Sequence, residues 1–372
     1  MPNKFWPRHK FPQTSTWKFE RSCKSICKEG YLLSDSKTVK RQRERNTKED
    51  HGLILGVDLG GTKIATSLAT DQGKIIARGY RPTPAQAGSD AVMNAMFAAV
   101  EELMSQGKVK LSQLSGIGIA AAGLIDSDNG KVIFSPNLPG WHEVPLRDIV
   151  KQRLGVPTYL GNDATLAALG EWCFGLEKNV ANLVYITVST GIGGGIIANG
   201  ELYDGACGFA GEVGHMTIDV NGPRCNCGNV GCWETLASGT ALAREALRQI
   251  KEGADTSITE LVGRDINKID AKVVFLAAQQ GDKLAKELVS RLGYYLGVGL
   301  VNLVNIFDPE LILIGGGVAK MGGLLFQPAM DVVKQRTQGI AARAVKVKPA
   351  ILGDDSSLLG AVAFVLESLG SS

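Results

Sequence analysis

Hydrophobic order begins at residue 53. The run LILGVDL, Leu53–Leu59, is short, apolar and β-prone, and Asp58 stands near its end. KIATSLAT (63–70) and GKIIARGY (73–80) follow, separated by Asp71-Gln72-Gly73, so the three segments predict a β-meander. Residues 87–106 carry a helical period. SGIGIAAAGL (115–124) predicts a buried strand running into a glycine-rich loop. VPTYLGND (156–163) predicts a strand that ends on Asn-Asp, with a helix over 164–175.

The pattern then restarts. NLVYITVSTGIGGGIIANGELY (182–203) is an apolar strand, a Gly/Thr turn and a returning strand, and DPELILIGGGVAK (308–320) is a strand, a triple-glycine turn and a helix start. Helices are predicted over 282–306 and 355–369. A strand, glycine turn and strand unit thus occurs twice, which predicts two similar α/β domains with a ligand in the cleft between them. Residues 1–51 break this texture: they are polar and basic, with no sustained period, and read as a disordered extension, the alternatives being a basic tether for nucleic acid or membrane, or a presequence.

Composition adjusts this picture in two places. The chain has 372 residues with 44% hydrophobic and 21% charged, an ordinary globular balance for two domains. The net charge of +3 is uneven, because residues 1–51 carry 13 Lys and Arg against 6 Asp and Glu, which leaves −4 on the rest. The predicted globular part is therefore mildly acidic, and nucleic acid is not expected as its partner. No run is long and apolar enough for a membrane span and no secretory signal is visible, so no membrane partner and a cytoplasmic location are expected.

Chemistry concentrates in the glycine turns and the cysteines. Asp58-Leu59-Gly60-Gly61-Thr62-Lys63 joins two predicted strands. Its glycines can turn backbone N–H groups toward a phosphate, and Asp58 at the strand end can hold a hydrated Mg²⁺. Ser189-Thr190-Gly191-Ile192-Gly193-Gly194-Gly195 is the second such turn and Gly315-Gly316-Gly317 the third. A helix starting after the third would aim its positive end at the ligand. No Walker A order is present, and Gly116-x-Gly118-x-x-Ala121 lacks the acidic partner of a dinucleotide site. Three of the seven cysteines fall in Cys225–Cys232, and with His215 they form H-x9-C-x-C-x4-C. Three thiolates and one imidazole make a closed tetrahedral set, the signature of a structural Zn²⁺ site. Glu212 and Glu234 flank it, so zinc would pin two carboxylates suited to sugar hydroxyls, and the second nitrogen of His215 could contact a hydroxyl.

DLGGTK (58–63), SPNLPGW (135–141), NDA (162–164), TGIGGG (190–195), EVGH (212–215) and CNCGNVGCWE (225–234) together resemble the bacterial ROK family, most of all its glucokinases, over about residues 53–369. The resemblance implies an actin-like ATPase domain fold of two RNase H-like domains. The division expected is 1–51 as an extension, 52–168 plus 359–372 as a small α/β domain, and 169–358 as a large α/β domain carrying the zinc site. It implies ATP as phosphoryl donor with Mg²⁺, and a hexose as substrate, glucose first, converted to its 6-phosphate. Asp163 matches the general base. Asn137, Asn162, Asp163, Glu212, His215 and Glu234 match sugar contacts. Asp58, Gly60, Gly61, Thr62, Lys63, Thr190, Gly191, Gly193, Gly194 and Gly315–Gly317 match nucleotide-binding positions. His215, Cys225, Cys227 and Cys232 match zinc ligands. Gly161 departs from the acidic residue many members carry before Asn-Asp.

Relatives in the family commonly form dimers or tetramers, so a homodimer or homotetramer is expected. Other family substrates stay open: fructose, mannose, allose, N-acetylglucosamine and N-acetylmannosamine. A sugar-responsive transcription repressor of the same family is the other class of function. Residues 1–51 read as too short and too poor in apolar period for its DNA-binding domain.

Overall fold

The computed structural model describes residues 52–176, 180–337 and 345–370. The N-terminal extension, with its expected disorder, lies outside them.

The first meander forms as the pattern predicts. Strands β1 (Leu53–Leu59), β2 (Lys63–Thr70) and β3 (Ile75–Pro82) pair antiparallel in sequence. The helix Ser89–Gly107 buries its apolar stripe, Val92, Met96, Val100 and Leu103, against this meander. Strand β4 (Leu114–Ala121) then adds parallel to β1. A small antiparallel sheet follows, made of β5 (Leu124–Asp126), β6 (Lys131–Phe134) and β7 (His142–Val144), and the segment between β6 and β7 carries Asn137. After the helix Leu146–Leu154, strand β8 (Thr158–Asn162) closes the first five-stranded sheet in the order β3-β2-β1-β4-β8.

The second sheet repeats the first. Strands β9 (Leu183–Val188), β10 (Ile192–Ala198) and β11 (Glu201–Leu202) make the meander, and β12 (Leu311–Gly315) and β13 (Lys346–Pro349) add in parallel, giving β11-β10-β9-β12-β13. Each sheet therefore has three antiparallel strands followed by two parallel ones. Between β11 and β12 lie the cysteine-rich segment and the helices Gly239–Lys251, Ala271–Gln279 and Lys283–Phe307. The last of these is 25 residues long and sends Leu288, Leu292, Leu296, Leu300 and Leu303 into the larger hydrophobic core.

Two helices tie the sheets together. Asp163–Gly170 leaves β8 of the first sheet and packs on β9 and β10 of the second, where Gly193 and Gly195 face Ala164 and Ala168. The final helix, Ser356–Gly370, packs on β1 and β4 and crosses Asp163–Gly170 so tightly that a Cβ on Gly360 would overlap the Leu166 carbonyl. The expected domain boundaries, 168/169 and 358/359, both fall inside these crossing helices.

The helix predicted over 164–175 is present: it is α-helical over Asp163–Gly170 and continues as a π-type turn over Glu171–Gly175, where the buried Glu171 accepts from the Ile351 N–H. Two expectations are corrected. The triple-glycine turn leads into a single 3₁₀ turn, Val318–Met321, and the α-helix starts only at Gly323, so residues 318–322 stand between Gly317 and the helix expected to begin there. Ile192 already belongs to β10, which puts Gly193 and Gly194 in a strand rather than in the turn. Among the described residues no helix is long and apolar enough to cross a membrane.

Candidate active site

Asn162 and Asp163 sit where β8 becomes a helix. The Asn162 side chain caps that helix, accepting from the N–H groups of Ala164 (2.9 Å) and Thr165 (3.1 Å), while its amide donates to the Gly123 carbonyl at 2.9 Å. The cap fixes the backbone so that Asp163 is the first helical residue, with Oδ1 accepting from the Ala164 N–H at 2.9 Å. Burial raises the Asp163 carboxyl to about 7, helped by the negative charges of Asp58 and Glu212 and opposed by the Ala164 N–H. Those two neighbours matter for location: Asp58 is the penultimate residue of β1 in the first sheet, and Glu212 lies beyond β11 of the second. Asp163 is thus flanked by carboxylates from both halves.

Asp58 is itself held above the ordinary carboxylate range by burial, against the pull of Lys63 and of a hydrogen bond from Ser357. Its turn is a tight hairpin closed by Gly60 N–H to Lys63 O at 3.0 Å and stitched to Thr83, whose hydroxyl donates to the Gly60 carbonyl at 2.7 Å. Gly61 has a second reason to lack a side chain: a Cβ there would come within 2.6 Å of Asn137, so the turn and the β6–β7 segment touch. Thr62 is exposed and Lys63 partly so.

On the other side, Glu212 lies 3.8 Å from Nε2 of His215. Burial raises the Glu212 carboxyl, His215 lowers it and Glu234 raises it, which places all three side chains in one neighbourhood. Glu234 accepts the Ile192 N–H at 2.9 Å, and any Cβ on Gly191 would collide with its carboxylate. Glu234 is therefore held directly against the second glycine turn. That turn is closed by Ser189 N–H to Gly191 O at 2.9 Å, and the Thr190 carbonyl accepts from Thr240 Oγ at 2.7 Å. Gly316 has a φ of +86° and packs against the backbone of Val188, which brings the third glycine turn beside the second.

The ligand atoms of His215, Cys225, Cys227 and Cys232 lie within 4.8 Å of one another. Nδ1 of His215 is 3.7 Å from Cys225 Sγ, and Cys227 Sγ is 3.7 Å from Cys232 Sγ. Zinc bonded to sulfur at about 2.3 Å needs a tetrahedral edge of about 3.8 Å, so these residues fit the ion. Without it, burial and the neighbouring thiols push the Cys232 thiol up to about 12. The loop is shaped by Gly228 and Gly231, at φ +94° and +69°, and by the hydrogen bonds Cys225 N–H to Asn229 O and Gly231 N–H to Pro223 O, both 2.8 Å. Trp233 anchors it: the ring is fully buried against Gly299, and its indole N–H donates to the Tyr295 carbonyl at 2.9 Å.

The structure brings together the expected sugar-side residues Asn162, Asp163, Glu212, His215 and Glu234 with Asp58, and sets Asn137 against Gly61. Sequence reasoning missed Glu171, Ser356 and Ser357. Glu171 is fully buried and accepts from Ile351 N–H (2.9 Å), Leu352 N–H (2.9 Å) and Ser356 Oγ (2.7 Å). The only signal for the serines was their position just before the apolar period of the last helix, where hydroxyl residues favour helix starts.

Two sheets of identical order, glycine turns at their strand ends and a carboxylate group at their junction define an α/β protein of the actin-like ATPase fold. The ROK family profile matches residues 54–368, and the chain belongs to the ROK family. It is 36% identical to the glucokinase of Thermotoga maritima, over 85% of this chain and 98% of that one. It is 32% identical to the xylose repressor of Caldicellulosiruptor bescii, over 92% and 86%. Among solved structures, a Streptomyces griseus ROK glucokinase in complex with glucose and AMPPNP aligns with a TM-score of 0.75 at 35% identity, covering 85% of this chain and all of that one. A ROK family transcriptional regulator, a homologue of the E. coli MLC protein, aligns at 0.73 with 26% identity, covering 84% and 78%.

Proposed function

We propose that this protein is an ATP-dependent hexose kinase, with glucose as its substrate and glucose 6-phosphate as its product. The observation that carries the reading is the placement of Asp163, at a helix start and between carboxylates from both halves of the fold. A sugar hydroxyl is a weak nucleophile at neutral pH. Asp163, poised near neutrality, takes its proton as the sugar 6-oxygen bonds to the γ-phosphorus, and the bond to the bridging oxygen breaks, leaving ADP. Asn137, Asn162, Glu212, His215 and Glu234 orient the sugar. Asp58 through Lys63, Thr190 through Gly194 and Gly315–Gly317 receive the nucleotide, the backbone of the turns facing the phosphates. Asp58 is the carboxylate that would meet the hydration shell of Mg²⁺ arriving with ATP, an ion that would supply offsetting charge for the phosphates. His215, Cys225, Cys227 and Cys232 would hold a structural Zn²⁺, whose role would be to brace the segment bearing Glu212 and Glu234.

Support comes from glucokinase relatives and from the structural neighbour that holds glucose and AMPPNP. The test is coupled ADP detection across glucose, fructose, mannose, allose, N-acetylglucosamine and N-acetylmannosamine. Glucose should give the highest kcat/KM. Another sugar leading the panel would replace glucose, and no sugar-dependent ADP release would remove the kinase reading.

A second reading, a sugar-responsive repressor, is favoured by one observation. The xylose repressor alignment covers 92% of the chain, more than the family profile's 54–368, and so extends into residues outside that match. This weakens the expectation drawn from the brevity of residues 1–51. Salt-dependent DNA binding by the full chain, altered by a sugar, would support it, and its absence at low salt would count against it.

A further inference from the structure

The second glycine turn is fastened to the start of the helix Gly239–Lys251. The Gly239 N–H donates to the Ser189 carbonyl at 2.8 Å. Thr240 donates to the Thr190 carbonyl twice, from its hydroxyl at 2.7 Å and from its N–H at 3.4 Å. The first N–H groups of a helix have no partner inside it. Here the first two are taken by the turn, and the third, on Ala241, by the Ser238 hydroxyl at 3.1 Å. The approach leaves no room for a side chain, because a Cβ on Gly239 would come within 2.7 Å of the Ser189 carbonyl.

The same bonds set the other side of the turn. A trans peptide is planar, so its N–H points opposite to its C=O. With the Ser189 and Thr190 carbonyls drawn to the helix, the N–H groups of Thr190 and Gly191 are turned away from it. Neither donates to an acceptor among the described residues, and Ser189 and Thr190 are exposed. Successive backbone N–H groups aimed outward suit an anionic phosphate. The Thr190–Gly191 peptide is the one that needs holding, because glycine on one side of it lets the peptide plane rotate at little cost. The Thr240 hydroxyl is the shorter of its two restraints. Ile192, one residue further on, is held separately by Glu234 at 2.9 Å.

We propose that Thr240 is a positioning residue for the Thr190–Gly191 peptide, a role that rests on the ATP reading of the site. Its hydroxyl keeps the Thr190 carbonyl on the helix and the Gly191 N–H toward the phosphates of ATP. Without it the peptide rotates, and an N–H donor is lost where phosphate charge must be met. Glu234 keeps its own bond to Ile192, so the sugar contacts stay in place.

The experiment compares the full-length wild type with Thr240→Val, Thr240→Ala and Thr240→Ser. Binding of AMPPNP with Mg²⁺ is measured by calorimetry, and the KM for ATP, the KM for hexose and the melting temperature are measured alongside. Loss of one neutral hydrogen bond corresponds to a weakening of about fivefold. Thr240→Val keeps the shape and removes the donor, so it should bind AMPPNP about fivefold more weakly and raise the KM for ATP to match. The KM for hexose should stay at the wild-type value, and Thr240→Ser, which keeps the hydroxyl, should restore nucleotide binding. Thr240→Ala should behave as Thr240→Val and serves if the valine variant does not fold. Wild-type AMPPNP affinity in both Thr240→Val and Thr240→Ala, an equal rise in the KM for hexose, or no rescue by serine would overturn the proposal while leaving the kinase reading intact. A wild type that binds no AMPPNP overturns both.

Discussion

At the scale of single residues, Asp163 is where structure and chemistry meet. The base must be ionised to accept a proton, so kcat/KM should rise with pH through a limb near 7, set by burial and by Asp58 and Glu212. A pH–rate profile flat between 5 and 8 would contradict this. The same shift has a stability consequence of opposite sign. An unfolded aspartate ionises near pH 3.9 and the folded one near 7, so the folded state is favoured below about pH 4 and loses that advantage as pH rises to 7. Asp163→Asn keeps an oxygen for the Ala164 N–H. It should melt higher than wild type at pH 8, by a margin that shrinks toward pH 4, as a series of thermal melts would show. Asn-Asp at a strand end was readable because a cap and a short apolar run announce themselves locally. Glu171 was not, because its partners lie far along the chain, at Ile351 and Leu352.

At the scale of elements, the His215, Cys225, Cys227 and Cys232 side chains spaced along the sequence come together in the cysteine-rich loop, and packing supplies a reason for its place. The ligand pattern was visible in the sequence; its anchor was not, since the fit of Trp233 against Gly299 joins segments with no shared pattern. Two expectations separate metal from packing. Cys227→Ala should lose zinc by elemental analysis and melt lower, and a strong chelator should destabilise the wild type but not this variant. Unchanged metal content would refute the site. Trp233→Ala removes a fully buried ring and should cost about 3–5 kcal/mol in denaturant unfolding; a loss under about 1 kcal/mol would show that the anchor is dispensable. The long strands were legible because apolar runs bounded by glycine turns leave little else to form. The small β5–β7 sheet was not, because its strands are three or four residues long and carry too little alternation to register. The first and third glycine turns were located by the sequence and the second only in part, since Gly193 and Gly194 lie in β10, and Gly61, Gly191 and Gly316 are each also required by a neighbour that leaves no room for a Cβ.

At the scale of the molecule, the repeat read from two glycine-turn units emerges as two sheets of the same order. The residues of the proposed site are drawn from both, and the crossing helices Asp163–Gly170 and Ser356–Gly370 join them. We propose that 52–168 with 359–372, and 169–358, act as two domains that close on the sugar and exclude water, with the helix crossing as the pivot. Small-angle scattering should show a smaller radius of gyration with glucose and a non-hydrolysable ATP analogue; an unchanged radius would argue for a site that does not close. A homodimer or homotetramer is proposed as the working form, to be checked as a mass by light scattering.

The central claim is that Asp163 of this ROK protein drives ATP-dependent phosphorylation of a hexose. The most direct measurement is glucose-dependent ADP release by the purified full chain, wild type beside Asp163→Asn, with glucose binding by calorimetry as control. The expected result is turnover by the wild type, a loss of about 10²–10⁴-fold in the variant, and glucose binding retained in both. Wild-type kcat in Asp163→Asn, or no turnover in the wild type with any hexose, would contradict the account.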